Sequence, residues 1–181
     1  MNAFLTAARA LEGKLLCCCL QFGYFNRKAF ASLEAFLERL DPFLAAWPKD
    51  VPVAVEVRNA GWVGAPLLDC LRAHGAAFVL ADQAWMLAPL DVVHRFDVAT
   101  GPFAYVRLLG DRAAVDAATE TLDHIAIDRS GQVRADALAI GELSERVPVV
   151  AFVNNHFEGY APQTVAQLLA ALRAAGPAEA G

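Results

Sequence analysis

The sequence has few charged residues and no long uninterrupted apolar segment. Charged residues make up 19% of its 181 residues, against a hydrophobic share of 57%. No stretch approaches the about 20 apolar residues that a transmembrane helix needs. The amino terminus does not resemble a signal peptide, because Arg9, Glu12 and Lys14 interrupt it. We therefore expect a cytoplasmic protein with no membrane partner, and the net charge of −5 disfavours nucleic acid as a partner.

The spacings typical of zinc and nucleotide sites are also missing. The chain contains no CxxC pair, no GxGxxG and no GxxxxGK[ST]. Three of its four cysteines are consecutive, Cys17, Cys18 and Cys19, and alternation along a strand sends Cys18 to the opposite face. These thiols and Cys70 are therefore predicted to be reduced and structural. No metal site is predicted, and the sequence leaves the cofactor unknown.

Apolar runs alternate with amphipathic segments, which indicates an α/β fold. The runs are rich in β-branched and aromatic residues, as in buried strands, and comprise residues 15–20, 51–57, 77–81, 103–109 and 149–153. Strand and helix in succession imply crossover connections and a parallel sheet. Residues 83–100 show no clear period and are interpreted as a long loop, with a short strand within it as the alternative. The length suits one domain over residues 1–175, with a frayed tail at 176–181.

The stretch from Val149 to Leu169 gives the pattern against which the other strands can be compared. Its apolar run predicts a fully buried strand, which ends at Asn154, Asn155 and His156. Pro162 then stands at a helix start, where its missing N–H is tolerated. Polar side chains thus lie at the carboxyl end of a strand, where ligands bind in parallel α/β proteins.

Other predicted strands end in the same way. Glu56 and Arg58 follow the second strand and Asp82 the third, while Arg107 interrupts the fourth and Gln21 ends the first. A barrel brings the carboxyl ends of all its strands to one pocket. This distribution therefore favours part of a (β/α)₈ barrel over a doubly wound sheet.

Each candidate has a functional and a structural interpretation. Glu56 and Arg58 share a strand face. In the functional interpretation, Glu56 is a general base or metal ligand and Arg58 binds an anion. In the structural interpretation, the two form an internal ion pair. Asp82 is a second acid, a metal ligand or a cap. Arg107 binds an anionic group, or pairs with one of the two acids.

The polar residues after the last strand also have a functional and a structural interpretation. Asn154 and Asn155 should point to opposite faces, so at most one of them lines the pocket, and both can instead cap the loop. His156 is a candidate for acid/base or ligand-binding chemistry, although a single loop histidine more often has neither role.

The motifs LQFGYFNRKAF, EVRNAGW, FVLAD, FAYVRLLG and FVNNHFEGYAP occur in this order along the chain. Together they resemble the DUF72, or YecE-like, family, of which FVNNHFEGYAP is the most specific motif. The resemblance implies a TIM-like barrel without an established activity. In that family about three strands precede LQFGYFNRKAF, and this chain lacks them. We therefore expect a truncated barrel of about five parallel strands with helices outside.

Two consequences follow for function. A five-stranded piece has open sheet edges, which invite pairing with a partner chain or self-association. The start could be misplaced, the gene a fragment, or another chain could complete the fold.

The functional hypothesis is an enzyme that binds a small anionic molecule at the barrel mouth. Glu56 and Asp82 would perform acid/base or metal-assisted chemistry, of the phosphoester hydrolysis or isomerisation type, and the predicted substrate-binding residues are Gln21, Arg58, Arg107, Asn154, Asn155 and His156. The alternatives are a non-catalytic ligand-binding or scaffold module, or an inactive truncated fragment.

Overall fold

A computed structural model describes residues 2–175, with side chains from Ala3 onward. The predicted frayed tail, 176–181, lies outside the described residues. Five parallel strands form one sheet in the order β1-β2-β3-β4-β5, which confirms the α/β prediction. They are β1 (Cys18–Gln21), β2 (Val53–Glu56), β3 (Ala77–Gln83), β4 (Ala104–Gly110) and β5 (Val149–Val153). Each strand pairs with the next one in sequence, as consecutive strands of a barrel do, whereas the order reverses in a doubly wound sheet.

Seven α-helices occur within residues 2–175. They are α1 (Asn2–Arg9), α2 (Leu33–Ala45), α3 (Ala65–His74), α4 (Pro89–Arg95), α5 (Arg112–Ala118), α6 (Ser130–Ser144) and α7 (Ala161–Ala175). Local chemistry sets several of their ends. The Ser32 side chain accepts a hydrogen bond from the Ala35 N–H at the start of α2. Gly75, with φ of 65°, ends α3 in the left-handed conformation that glycine adopts readily. None of these helices is long and apolar enough to cross a membrane.

The two faces of the sheet differ. On the outer face, Val55, Leu80 and Val106 pack in the main hydrophobic core with residues of the surrounding helices, among them Leu67, Leu71, Leu143 and Leu168. The inner face carries a smaller buried cluster of Ala54, Ala77 and Val79, flanked by Cys17, Phe103 and Tyr105. Alternation along the strands produces this division, because successive side chains point to opposite faces. The polar strand ends extend the inner face toward the carboxyl edge of the sheet.

Two sequence predictions about the fold are wrong. The β5 strand is not fully buried, since Ala151 is exposed and Phe152 is 51% exposed. Among residues 2–175, β5 pairs only with β4 and is an edge of the sheet. The interpretation of 83–100 as a loop is also incorrect, because α4 lies within it. A helix of seven residues makes only two turns, which is too short to display a clear period.

Gly110, at the end of β4, allows the loop that follows β5 to approach closely. Its φ is +68°, and a Cβ there would stand 2.5 Å from both the carbonyl oxygen of His156 and the Cα of Phe157. Both the backbone conformation and the lack of space require glycine at this position. Gly110 therefore helps to set where His156 lies.

We expect Gly110→Ala to lower the free energy of unfolding by about 2 kcal/mol or more, because the methyl group meets backbone atoms that cannot move aside. The matched control is Gly141→Ala within α6, where an added Cβ meets nothing within 4 Å. That change should stabilise the helix by up to about 1 kcal/mol. Urea unfolding of the two variants checks the prediction, and equal midpoints would contradict it.

Candidate functional site

A buried carboxylate lies at the centre of the inner face. The side chain of Glu56 is fully buried at the end of β2. Arg58 approaches Oε1 with its Nε, and Arg107 approaches Oε2 with Nη1. The two guanidinium groups are themselves largely buried, with side chains 12% and 23% exposed. A buried charge must be paired, and here one carboxylate is paired with two cations.

Two glutamines extend this arrangement. Arg107 Nη1 donates a hydrogen bond to Gln21 Oε1 at 3.0 Å, and Arg58 Nη1 donates to Gln83 Oε1. We call these five side chains, Gln21, Glu56, Arg58, Gln83 and Arg107, the Glu56 network. It joins side chains from four strands or their ends, and its formal charge is +1 because two arginines meet one carboxylate.

The strand register explains why these side chains meet. Gln21 of β1 lies directly beside Glu56 of β2, and partners on parallel strands share a face. Arg107 of β4 lies beside Ala81 of β3, whose small side chain leaves room for the guanidinium to reach Glu56. An irregularity in the pairing between Asp82 and Gln83 shifts the register at the end of β3.

A cavity of about 650 Å³ opens over this end of the sheet. Arg58 and Arg107 line it together with Trp85, Asn154 and His156. The rest of its wall is formed by Gln83, Leu109, Gly110, Asp111, Arg112, Ala113 and Asp116. It therefore combines two arginines of the Glu56 network with polar groups from the loops after β4 and β5.

His156 is fixed by two contacts within this cavity. Its Nε2 lies 3.2 Å from Asp116 Oδ1, and its Nδ1 lies 3.0 Å from Asn154 Oδ1. Both ring nitrogens thus face hydrogen-bond acceptors. Asp116 and His156 are neighbouring potential metal ligands at the cavity wall, which Asp111 also lines, whereas both oxygens of Glu56 face arginines.

The two asparagines diverge, as alternation predicts. Asn154 lines the cavity, and its Oδ1 also accepts a hydrogen bond from the His156 N–H at 2.9 Å. Asn155 Oδ1 instead accepts from the Ala161 N–H at 2.9 Å, at the start of α7. The structure thus places Asn154 in the cavity wall and Asn155 at a helix end, where its side chain has a capping role.

Asp82 does not join Glu56, because it lies on the opposite face of the sheet. It is paired in register with Leu108, which belongs to the core under the helices. Its carboxyl group lies beside that of Asp136 from α6, and both groups are buried. Burial raises the pKa of Asp82. Burial and the negative charge of Asp82 raise the pKa of Asp136 to about 8, which favours a protonated carboxyl group in this pair at neutral pH.

Sequence reasoning missed Gln83, Asp116 and Asp136. Asp136 carried a usable signal, since it lies beside Ala137 on the side of α6 that buries Val133 and Ile140. Gln83 was missed because the strand was predicted to end at residue 81. Asp116 lies on α5, a helix of seven residues, which is too short to show a clear period in the sequence.

Comparison with known proteins identifies the family. The sequence profile described as "Protein of unknown function DUF72" matches residues 1–180. The chain belongs to the DUF72 family. Among curated proteins, none has a matching sequence.

Solved structures of DUF72 proteins share the fold. A DUF72 family protein from Thermotoga maritima MSB8 is 21% identical, with a TM-score of 0.64. A DUF72 family protein from Enterococcus faecalis V583 is 20% identical, also with a TM-score of 0.64. Each comparison covers 95% of this chain, which spans 64% of the Thermotoga protein and 67% of the Enterococcus protein.

The carboxyl pair of Asp82 and Asp136 predicts a pH dependence of stability. Both folded pKa values are raised above the unfolded value, so the folded state binds more protons and its stability falls as pH rises. For Asp136 the fall should extend from about pH 4, the unfolded pKa, to about pH 8. Its slope should reach at most about 1.4 kcal/mol per pH unit for one proton.

Asp136→Asn keeps a neutral hydrogen-bonding group and should remove the part of this dependence that Asp136 causes, so that the variant gains stability relative to the parent as pH rises. Urea unfolding across this pH range measures it. Glu38→Gln, at an exposed position on α2, is the control and should leave the parent curve unchanged. Parallel curves for the parent and Asp136→Asn would show that the pair does not hold the extra proton.

Proposed function

We propose that the cavity binds a small anionic molecule through a phosphate or carboxylate group. The observation that supports this is the pair of arginines, Arg58 and Arg107, held side by side by Glu56 at the cavity wall. Planar guanidinium groups suit the oxygens of such anions, because they donate two parallel hydrogen bonds.

Hydrogen-bonding capacity remains in both arginines. A guanidinium has five N–H donors. The contacts of Arg107 use Nη1, and those of Arg58 use Nε and Nη1. The Nη2 groups of both arginines, and Nε of Arg107, have no hydrogen-bond partner among residues 2–175. These donors, with the formal charge of +1, favour an anion in the cavity.

The engagement of Glu56 bears on its role. With both oxygens against arginines, the carboxylate is better suited to orienting them than to accepting a proton from a substrate. Asp82 faces the helices, so the predicted pairing of these two acids as proton-transfer groups has no support in the geometry. Binding of an anion is therefore the leading proposal, and it includes a non-catalytic ligand-binding module.

A second candidate function is acid/base catalysis on the bound anion, of the phosphoester hydrolysis or isomerisation type. The contact between His156 and Asp116 in the wall of the same cavity favours it. A histidine oriented by a carboxylate is a common proton-transfer arrangement. In this version Arg58 and Arg107 hold the anionic group while His156 moves the proton.

We also propose that the open edges of the sheet are completed by further barrel strands, from the same polypeptide or from a partner chain. Among residues 2–175, β1 and β5 each have a single neighbouring strand, and Phe152 is half-exposed. An exposed edge strand readily pairs with another strand. We also propose that the protein is cytoplasmic, a compartment that keeps thiols such as its four free cysteines reduced.

We expect Arg107→Lys and Arg107→Ala to weaken the binding of inorganic phosphate, measured by isothermal titration calorimetry. Loss of charge-assisted hydrogen bonds worth about 1.5–3 kcal/mol corresponds to a rise of roughly 10- to 100-fold in the dissociation constant for phosphate. The lysine variant keeps the charge beside Glu56, and so tests the guanidinium with less risk to the fold. Arg173→Ala, at an exposed position on α7, is the matched control and should bind as the parent does. Equal phosphate affinity in all four proteins would refute the proposal.

The catalytic version is tested with an aryl phosphate ester. His156→Ala should abolish turnover while phosphate affinity stays within a few-fold, because the arginines remain. If the parent binds phosphate without turning over such esters or sugar phosphates, the ligand-binding module is the better description.

A further inference from the structure

Three potential metal ligands of different chemistry meet on the outside of the helical layer. Asp41 belongs to α2, and Cys70 and His74 belong to α3. One ligand atom from each lies within 4.8 Å of the other two. His74 Nε2 is 2.8 Å from Asp41 Oδ1, and Cys70 Sγ is 4.0 Å from the same oxygen. None of these residues lines the cavity at the Glu56 network.

Helix geometry accounts for the cluster. Cys70 and His74 are four residues apart, so they project from the same side of α3 on successive turns. That side faces α2, and Asp41 completes the triangle from across the contact. A cysteine and a histidine at this spacing can both bind one ion without any change in the backbone.

A polar contact between two helices does not explain the whole arrangement. The hydrogen bond between His74 and Asp41 needs no thiol beside it, yet the Cys70 thiol also donates a long hydrogen bond to the same carboxylate oxygen. A nucleophilic cysteine is a poor interpretation as well. The Nε2 of His74 is engaged by Asp41, and a carboxylate beside a thiol disfavours the thiolate. A cation among the three groups would stabilise the Cys70 thiolate beside the Asp41 carboxylate.

We propose that Asp41, Cys70 and His74 form a binding site for Zn²⁺ or a similar divalent transition-metal ion, with water as the fourth ligand. Thiolate and imidazole ligands favour such an ion over Mg²⁺ or Ca²⁺, which prefer oxygen.

Distances and exposure fit this proposal. Tetrahedral zinc ligands at 2.0–2.3 Å from the ion stand about 3 to 4 Å apart. The separations from Asp41 Oδ1 are 2.8 Å and 4.0 Å, and all three ligand atoms lie within 4.8 Å of one another, so side-chain rotations can bring them into this range. The side chain of His74 is 14% exposed and that of Asp41 is 61% exposed. The site is thus anchored on its α3 side and open to solvent on its α2 side, where a water ligand can enter.

The experiment uses the full chain, free of any affinity tag and kept reduced with a non-chelating reductant. Zn²⁺ is titrated by calorimetry and Co²⁺ by absorption. The expected results are one bound ion per chain, a thiolate-to-cobalt charge-transfer band, and a melting temperature that rises with Zn²⁺ concentration. The charge-transfer band requires a cysteine ligand, and so distinguishes this site from adventitious binding by histidines alone.

Variants locate the ion. Asp41→Asn and Cys70→Ser should each weaken Zn²⁺ binding by more than roughly tenfold, since even changes to groups outside the ligand set have effects of this size. Cys70→Ser should also abolish the charge-transfer band. Asp41 is exposed, so its substitution tests the site without disturbing the core.

Controls use a cysteine and a histidine from elsewhere in the chain. Cys19→Ser changes an exposed thiol on β1, and His94→Gln changes an exposed histidine on α4. Both should bind Zn²⁺ and Co²⁺ as the parent does. The proposal is overturned if the parent shows no stoichiometric binding, or if Cys70→Ser retains the band while Cys19→Ser loses it.

Discussion

The burial of the Glu56 carboxylate is the constraint on which the inner face depends. A fully buried carboxylate is unfavourable unless cations and hydrogen-bond donors replace water around it. Here Arg58 and Arg107 meet one oxygen each, and a glutamine accepts a hydrogen bond from each arginine. The contacts reach from β1 to β4, so the register of four strands and the orientation of two guanidinium groups are linked. The same linkage presents the arginines to the cavity.

Buried carboxyl groups also occur on the outer face of the sheet, where they are stabilised differently. Asp82 and Asp136 are also buried, but no guanidinium contacts them directly, and the pair keeps a proton instead of two charges. Glu158 shows a third arrangement: its fully buried carboxylate accepts a hydrogen bond from the backbone N–H of Arg129 at 3.0 Å. Buried acidic groups near the carboxyl edge of the sheet are thus stabilised in three ways. Glu56 is paired with cations, the Asp82–Asp136 pair keeps a proton, and Glu158 accepts a hydrogen bond from a backbone N–H. Only the first arrangement opens into the cavity.

Sequence patterns predicted much of the fold, because strand alternation and helix periodicity are local. They placed Glu56 and Arg58 on one face and separated Asn154 from Asn155. Asp82 could have been assigned to the helix side from its own strand, since it follows Phe78 and Leu80 at steps of two, and both are core residues. The exposure of β5 could not be predicted from the sequence, because the burial of a strand depends on the layers that cover it and not on its own composition. The short helix α4 was missed because two turns carry too little periodicity.

The sequential strand order has a consequence for how the chain folds. Every strand pairs with the next strand in sequence, so paired residues are 23 to 45 positions apart and the sheet can form progressively along the chain. The Glu56 network is the exception. Its bond from Arg107 to Gln21 joins residues 86 positions apart, and its contact with Glu56 spans 51 positions. A nascent polypeptide that ends before β4 carries Glu56 with one arginine only. The arrival of β4 therefore brings the second arginine, which gives the network its net positive charge and links β4 to β1 and β2 on the inner face.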